Sequence, residues 1–360
     1  AGRYLRLVLS GRAGGAFMPP MQLIDVRDQP LDGGISPVLL AELRRVLTAG
    51  EQALIFLNRR GFAPVLTCYA CGWLSDCRRC DARQTLHTDS RRLWCHHCGA
   101  QGPVPHRCPQ CGSRELHPLG QGTQRVAEVL RSRLADYPLV RVDRDAARRK
   151  GSLEKLLDAA RSGEAALLVG TQMLAKGHHL PRLTLVGVLD IDGGLFSADF
   201  RAAERVAQLV VQVAGRAGRG ASPGRVLIQT RFPDHPLLQT LVTEGYAGFS
   251  RLALAERREA RLPPYTHQAL LRAEAARVEL PNAFLAEAAS LAQARAVESW
   301  GPAPALMARK AGRYRAQLLL QAERRVALHE LLERLLPELR ALRSGRQVRW
   351  SLDVDPQDFS

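Results

Sequence analysis

Lysine is nearly missing from this chain: 360 residues contain only four, Lys150, Lys155, Lys176 and Lys310. The positive charge is therefore almost all arginine, a bias that a GC-rich genome can produce by itself. Long apolar runs are missing too. None approaches the roughly 18–20 residues that a membrane-spanning helix needs, so no membrane partner is expected. The N-terminal stretch AGRYLRLVLSGRAGG has no apolar core followed by a cleavage site, which excludes a secretory leader in this stretch. The cell interior is the expected compartment, and disulfides are disfavoured there. Two catalytic signatures are also absent: a GxxxxGK[ST] loop that cradles phosphates, and a DExH-type carboxylate motif after a strand. There is no fixed-period repeat and no low-complexity tract. Residue 1 is Ala rather than Met, as in a piece of a longer chain.

What is present is an excess of cations. Lys and Arg number 51 against 35 Asp and Glu, a net charge of +16 with a pI near 10.3. Codon bias does not explain the excess, because acidic residues could have balanced it. A polyanionic partner is implied, nucleic acid before an acidic membrane surface. Apolar residues at 46% and charged residues at 24% describe a globular protein with a sizeable core. The length suggests two or three domains.

Ser36-Pro37 opens a helix, with Ser as N-cap and Pro at the first helical position. That helix ends at Gly50, and Ala53–Leu57 follows as a buried strand. After a cysteine-rich block, helices are expected from Thr123 to Ala135, from Ser152 to Arg161 and from Phe200 to Ala214. Strands are expected at Leu139–Val142, Ala165–Val169, Leu183–Ile191 and Arg225–Thr230. Alternating helices and continuous apolar strands mean a parallel α/β sheet, with the cysteine block inserted in it. After Leu262-Pro263-Pro264 the order becomes βαββαβ, a split, ferredoxin-like α+β unit. Its expected elements are strand His267–Glu274, helix Leu280–Ala294, strands Trp300–Met307 and Tyr314–Leu320, helix Val326–Leu342 and strand Gln347–Val354.

The cysteine block holds four CxxC pairs: Cys68/Cys71, Cys77/Cys80, Cys95/Cys98 and Cys108/Cys111. Each CxxC turn aims two thiolates at one point, and two turns make a tetrahedral site of the structural zinc type. Eight ligands make two sites. Nested pairing puts Cys68, Cys71, Cys108 and Cys111 on one zinc and Cys77, Cys80, Cys95 and Cys98 on the other. Sequential pairing is the alternative; nesting is preferred because it ties the ends of the insertion together. Iron–sulfur ligation and disulfides are the competing chemistries. His96, His97 and His106 sit nearby as solvated or supporting residues, since the cysteines already fill both sites. With no open position, the zinc is structural rather than catalytic.

Three further motifs carry chemistry. Asn58-Arg59-Arg60-Gly61 and Gly170-Thr171-Gln172-Met173-Leu174-Ala175-Lys176-Gly177 each follow a strand, at the edge where open α/β sheets bind ligands. Gln212-Val213-Ala214-Gly215-Arg216-Ala217-Gly218-Arg219 closes a helix. Arginines there can stabilise charge on a transferred phosphoryl group. Taken alone, GRAGR is as compatible with a solvated Gly-rich turn; three motifs in order on one sheet are not.

QVAGRAGR resembles motif VI of superfamily 2 helicases. GTQMLAKGHHLP, DIDGGLFSADFRAAERVAQLVVQVAGRAGR, NRRGFAPVLTC running into the CxxC pairs, and the C-terminal WSLDVDP together resemble the PriA family of primosomal replication-restart helicases, over essentially the whole chain. The resemblance implies an ATP-dependent 3′→5′ DNA helicase that recognises stalled or branched forks and initiates primosome assembly. It implies a RecA-like second helicase lobe (1–66 and 115–261), a zinc-binding insertion (67–114) and a C-terminal DNA- and partner-binding domain (262–360). The family's P-loop and carboxylate motif lie in a first lobe that this sequence does not include, so no ATPase activity is expected from this chain alone.

By the same resemblance, Arg216 and Arg219 reach the ATP γ-phosphate across the lobe interface and Gln212 couples nucleotide to DNA. Asn58, Arg59, Thr171 and Lys176 line the single-strand path. Thr123, after Gly122 at a helix start, either holds a DNA phosphate or simply caps the helix. Asp190 and Asp192 are read as structural or coupling residues, and Asp199-Phe200-Arg201 with Glu204-Arg205 as signature without assigned atoms. Arg313, Arg315 and Gln317 share one strand face, with Tyr314 on the other. Arg313 and Gln317, with Arg3, are expected to meet the acidic tail of the single-strand DNA-binding protein, or a DNA phosphate. Two zinc ions, ATP and Mg²⁺ are the implied cofactors. Forked or single-stranded DNA, the tail and other primosome proteins are the implied partners of a bacterial cytoplasmic, nucleoid-associated monomer. A non-catalytic zinc scaffold and a RecG-like or reverse-gyrase-like remodeller are the competing readings.

Overall fold

The structure is a computed structural model that describes residues 18–58, 65–68, 70–79, 83–87, 91–95, 98, 100–119, 123–142, 152–164, 166–171, 180–196, 199–218, 222–293, 297–357 and 359. Arg3, Arg59, Cys80, His96, His97, Gly122, Lys176 and Arg219, all named above, lie outside the described residues. Contacts divide the chain into two compact units, 1–60 with 121–253 and 61–120 with 254–360.

The first unit is an α/β layer. Its strands are β1 (Met21–Asp25), β2 (Gln52–Leu57), β8 (Leu139–Val142), β9 (Leu167–Gly170), β10 (Leu183–Leu189) and β11 (Arg225–Thr230). They form one sheet in the order β1-β11-β10-β2-β9-β8, and every neighbouring pair is parallel. Both faces are covered, which is why β2 and β10 are buried throughout and mostly apolar rather than alternating. Leu54 and Phe56 point into one core with α3 (Ser152–Ser162), α4 (Asp192–Leu195), α5 (Ala202–Ala214) and the first half of α6 (Pro236–Glu259). Ala53, Ile55 and Leu57 point into the other, with α1 (Pro37–Thr48) and α2 (Thr123–Arg133). Ser36 caps α1 as its sequence implies, its Oγ accepting from the Leu39 amide at 3.2 Å.

The second unit contains two antiparallel sheets. The cysteine segment supplies β3 (Val65–Cys68), β4 (Thr85–His87), β5 (Arg92–Trp94), β6 (Gln101–Pro103) and β7 (Leu116–Leu119), ordered β6-β5-β4-β3-β7. The C-terminal segment supplies β12 (His267–Ala275), β13 (Glu298–Lys310), β14 (Arg313–Ala322) and β15 (Arg349–Val354), ordered β13-β14-β12-β15. Helices α7 (Glu279–Leu291) and α8 (Arg325–Ala341) share one core with this sheet. This is the split βαββαβ arrangement, with β14 antiparallel between β12 and β13.

Candidate functional site

The parallel sheet puts its motifs on two opposite edges. Asn58 leaves the C-terminal end of β2, where its amide donates to the Leu189 carbonyl at 3.0 Å. Thr171 leaves the C-terminal end of the neighbouring β9. Both are half-buried and share one edge. The helix-closing motif lies elsewhere. Helix α5 runs back along the sheet and ends at Gly215, and the amide of Gly218 donates to the carbonyl of Leu183, the first residue of β10, at 2.9 Å. Asn58 therefore meets the last residue of the strand whose first residue Gly218 meets. Seven residues of strand separate the two edges by about 20 Å.

The Arg216 loop is rigidly held. Arg216 is only 8% exposed, and its amide donates to the Val213 carbonyl. Gly218 has φ +68°, and Gly224, which leads into β11, packs directly against its backbone. Gln212, by contrast, is exposed on α5. Arg216 is thus held within the fold rather than solvated on a turn.

Asp192, read as structural or coupling, and Asp199, whose role the sequence left unassigned, both have partners within the fold. Asp192 accepts from the Thr230 hydroxyl at 2.5 Å and from the Arg231 amide at 3.0 Å, tying the end of β10 to the end of β11. Asp199 accepts from the Arg201 amide at 3.0 Å and pairs with Arg205 at 2.7 Å. The DFRAAER signature is thus a helix-start clamp on α5. Thr123 is the first residue of α2.

The cysteines form the best-defined site. The Sγ atoms of Cys68, Cys71, Cys108 and Cys111 all lie within 4.8 Å of one another. The pairs Cys68–Cys111 and Cys71–Cys108 are each 3.6 Å apart. A zinc ion about 2.3 Å from four tetrahedral sulfurs places them about 3.8 Å apart, whereas a disulfide needs about 2.05 Å. The cysteines are free thiols, and sulfurs this close hold one ion rather than a cluster. The donor set fits zinc. Two equivalent knuckles build it. Gly72 and Gly112, at φ +76° and +74°, each donate their amide to the carbonyl of Cys68 or Cys108 four residues earlier. β3 and β7 pair antiparallel, with Cys68 opposite Leu116, so the nested pairing holds both ends of the insertion.

Cys77, Cys95 and Cys98 form the second cluster, with Cys77 and Cys98 sulfurs 3.7 Å apart. These are three of the four ligands that nesting assigns; Cys80 lies outside the described residues. Neither cluster includes a histidine among the described residues, and His106 is exposed. In the first cluster, desolvation raises the Cys108 thiol, yet the amides of Cys111 and Gln110 outweigh it and draw the group down to about 7. At Cys71 the Trp73 amide favours the thiolate, but desolvation and the neighbouring sulfurs push it up to about 12. The metal-free site therefore keeps a proton that a metal would displace.

In the C-terminal sheet, Arg313 and Arg315 line a groove of about 490 Å³ with Arg272, Lys310, Arg349 and Trp350. Glu274 sits among them, 3.3 Å from Arg313 and 3.9 Å from Arg349. Gln317 lies outside this groove, opposite Arg272 in the ladder, with its Oε1 buried. Arg313 and Gln317 share a strand face but not a cavity. Arg272 and Arg349 were not singled out by sequence, although both alternate with apolar residues on strands.

Three family models match consecutive parts of the chain: the helicase conserved C-terminal domain at residues 119–221, the PriA DNA helicase Cys-rich region at 77–103, and the primosomal protein N C-terminal domain at 258–357. The replication restart protein PriA of Haemophilus influenzae is 46% identical over 362 residues, covering 100% of this chain and 49% of the relative. The Bacillus subtilis protein of the same name is 38% identical over 361 residues, covering 99% and 45%. That of Synechocystis is 38% identical over 360 residues, covering 97% and 43%. Parallel lobe, motif loop and nested cysteine clusters define the class: a helicase C-terminal lobe with a cysteine-rich, metal-binding insertion. The chain belongs to the family of the replication restart protein PriA, and it spans about half the length of the curated relatives it matches.

Proposed function

We propose that this chain is the second-lobe half of an ATP-dependent 3′→5′ DNA helicase that recognises stalled or branched forks and starts primosome assembly. One observation carries the reading: a buried, glycine-locked Arg216 lies on one edge of the sheet, about a strand's length from Asn58 and Thr171 on the other. An arginine that reaches a nucleotide bound by a neighbouring lobe has to be pre-positioned, because its charge acts only at the transition state. A scaffold has no use for such an arginine.

In this reading Arg216 and Arg219 meet the γ-phosphate of ATP, with Mg²⁺, held by a first lobe, and Gln212 links nucleotide state to DNA. Asn58, Arg59, Thr171, Lys176 and Thr123 contact the DNA backbone without reading sequence. The two zinc ions are structural. The acidic tail of the single-strand DNA-binding protein meets the Arg313–Gln317 face, with Arg3, and other primosome proteins meet the cysteine segment. Lobe (1–66 and 115–261), insertion (67–114) and C-terminal domain (262–360) then have separate tasks in a cytoplasmic, nucleoid-associated monomer. The test is ATP turnover by the zinc-loaded chain with forked DNA. Salt-sensitive DNA binding without turnover is expected. Turnover that disappears in Arg216→Ala would place a complete nucleotide site in this chain and overturn the reading. For the tail, Arg313→Glu combined with Gln317→Glu is expected to weaken peptide binding at least tenfold; unchanged affinity removes that assignment.

A further inference from the structure

The second cysteine cluster touches a segment far away in sequence. Strands β13 and β14 are joined by a two-residue turn, Ala311-Gly312, with Lys310 paired to Arg313. Both turn residues have positive φ, +52° and +83°, the mark of a type I′ hairpin. The tip of this hairpin docks on the Cys77 knuckle. The amide of Gly312 donates to the Arg79 carbonyl at 2.6 Å, and the Arg79 guanidinium donates back to the Ala311 carbonyl at 3.4 Å across 232 residues of sequence. Met307 of β13 packs against the cluster of Cys77, Cys95 and Cys98. The Arg79 amide in turn points at the Cys77 sulfur at 3.4 Å.

We propose that the second metal site is the seat of the C-terminal hairpin, with Arg79 and Met307 as positioning residues, so that metal loading there fixes where Lys310, Arg313 and Arg315 stand. The Arg79 carbonyl that receives the hairpin lies two residues from Cys77. A CxxC turn holds that carbonyl in one direction only while its sulfurs converge on a metal. The first cluster does a different job, closing the ends of the insertion through β3 and β7. The inference rests on these contacts and not on the helicase reading.

The hairpin supplies its own reporter. In a two-residue turn the amide of the second turn residue has no partner inside the hairpin, so protection of the Gly312 amide measures docking. Hydrogen–deuterium exchange at single-residue resolution is compared for the full chain loaded with zinc, stripped of it, and carrying Met307→Asp with its zinc content counted. Gly312 should exchange at least tenfold faster in the stripped chain and in the zinc-retaining variant, while the β12–β14 amides stay protected. By reciprocity, undocking should weaken the apparent affinity for one zinc at least fivefold, read by equilibrium competition with a chelator, and leave the other unchanged. Equal Gly312 protection with and without metal overturns the proposal, as does full protection in the variant. If stripping unfolds the whole unit, the zinc-retaining variant decides. If Met307→Asp does not fold, Met307→Ala, which removes the thioether contact and adds no charge, is read in the same two assays.

Discussion

Gly218 has no room for a side chain: a Cβ would lie 2.5 Å from the backbone nitrogen of Gly224, and its φ of +68° is one that other residues rarely adopt. Gly218→Ala should therefore destabilise the lobe by about 3 kcal/mol in urea unfolding and misplace the Arg216 loop. Arg216→Ala is the complementary change. Made in a full two-lobed protein it should lower DNA-stimulated ATP turnover by about 10³ with little loss of fold stability. The thiols make a prediction in pH. Cys108 near 7 and Cys71 near 12 mean that the metal-free site holds protons at neutral pH which zinc expels. Apparent zinc affinity should rise with pH through neutrality, and zinc addition to stripped protein should release protons into a weakly buffered indicator solution. Affinity independent of pH would contradict the assignment of thiolate ligands. At this scale the sequence is highly legible. Spacing names the eight candidate ligands but leaves sequential pairing open, and the structure selects the nested set Cys68, Cys71, Cys108 and Cys111, with Gly72 and Gly112 at the positive φ the knuckles require.

Ser36 shows how much of an element one residue sets. Its hydroxyl accepts from Leu39, its amide donates to Gln229 Oε1 at 2.8 Å, and it is fully buried. Ser36→Ala should cost about 1 kcal/mol, measured as a lower urea midpoint with an unchanged slope. Capping and apolar runs made α1, β8, β10 and β11 readable to within a residue or two, because local chemistry decides them. Helix α6 and strand β1 carry weaker signals. Gly245 interrupts α6 with non-helical angles (φ 69°, ψ −164°), which breaks the 3.6-residue period that a sequence reading needs. β1 owes its place to pairing with β11 some two hundred residues later. β13 extends to Lys310, beyond the expected Met307, because β14 supplies its hydrogen bonds. The docking of Ala311-Gly312 on Arg79 was illegible for the same reason: nothing in either segment names the other.

For the whole molecule, two units with separate cores imply two separable responses to metal loss. Chelation should abolish the protection of β3–β7 and leave the core around Phe56, Val186 and Val210 intact. Amide exchange reports this directly, and collapse of both units together would refute the insertion picture. The net charge of +16 makes a second whole-molecule prediction. Binding to single-stranded DNA should weaken linearly on a log–log salt plot, by about 0.7 in slope for each phosphate contacted. A flat plot would exclude backbone recognition.

The nested cysteine pairing has a consequence for synthesis on the ribosome. β2 is translated more than a hundred residues before its sheet neighbours β9 and β10. Through that interval the strand has no partner, and an open stretch of this length slows its capture. Once Cys111 has left the exit tunnel, zinc can close the intervening segment upon itself and bring the flanks of the insertion side by side. The nascent chain then searches a much shorter effective distance. Cells short of zinc should accumulate this protein as an aggregation-prone, protease-sensitive nascent product before any mature activity is lost.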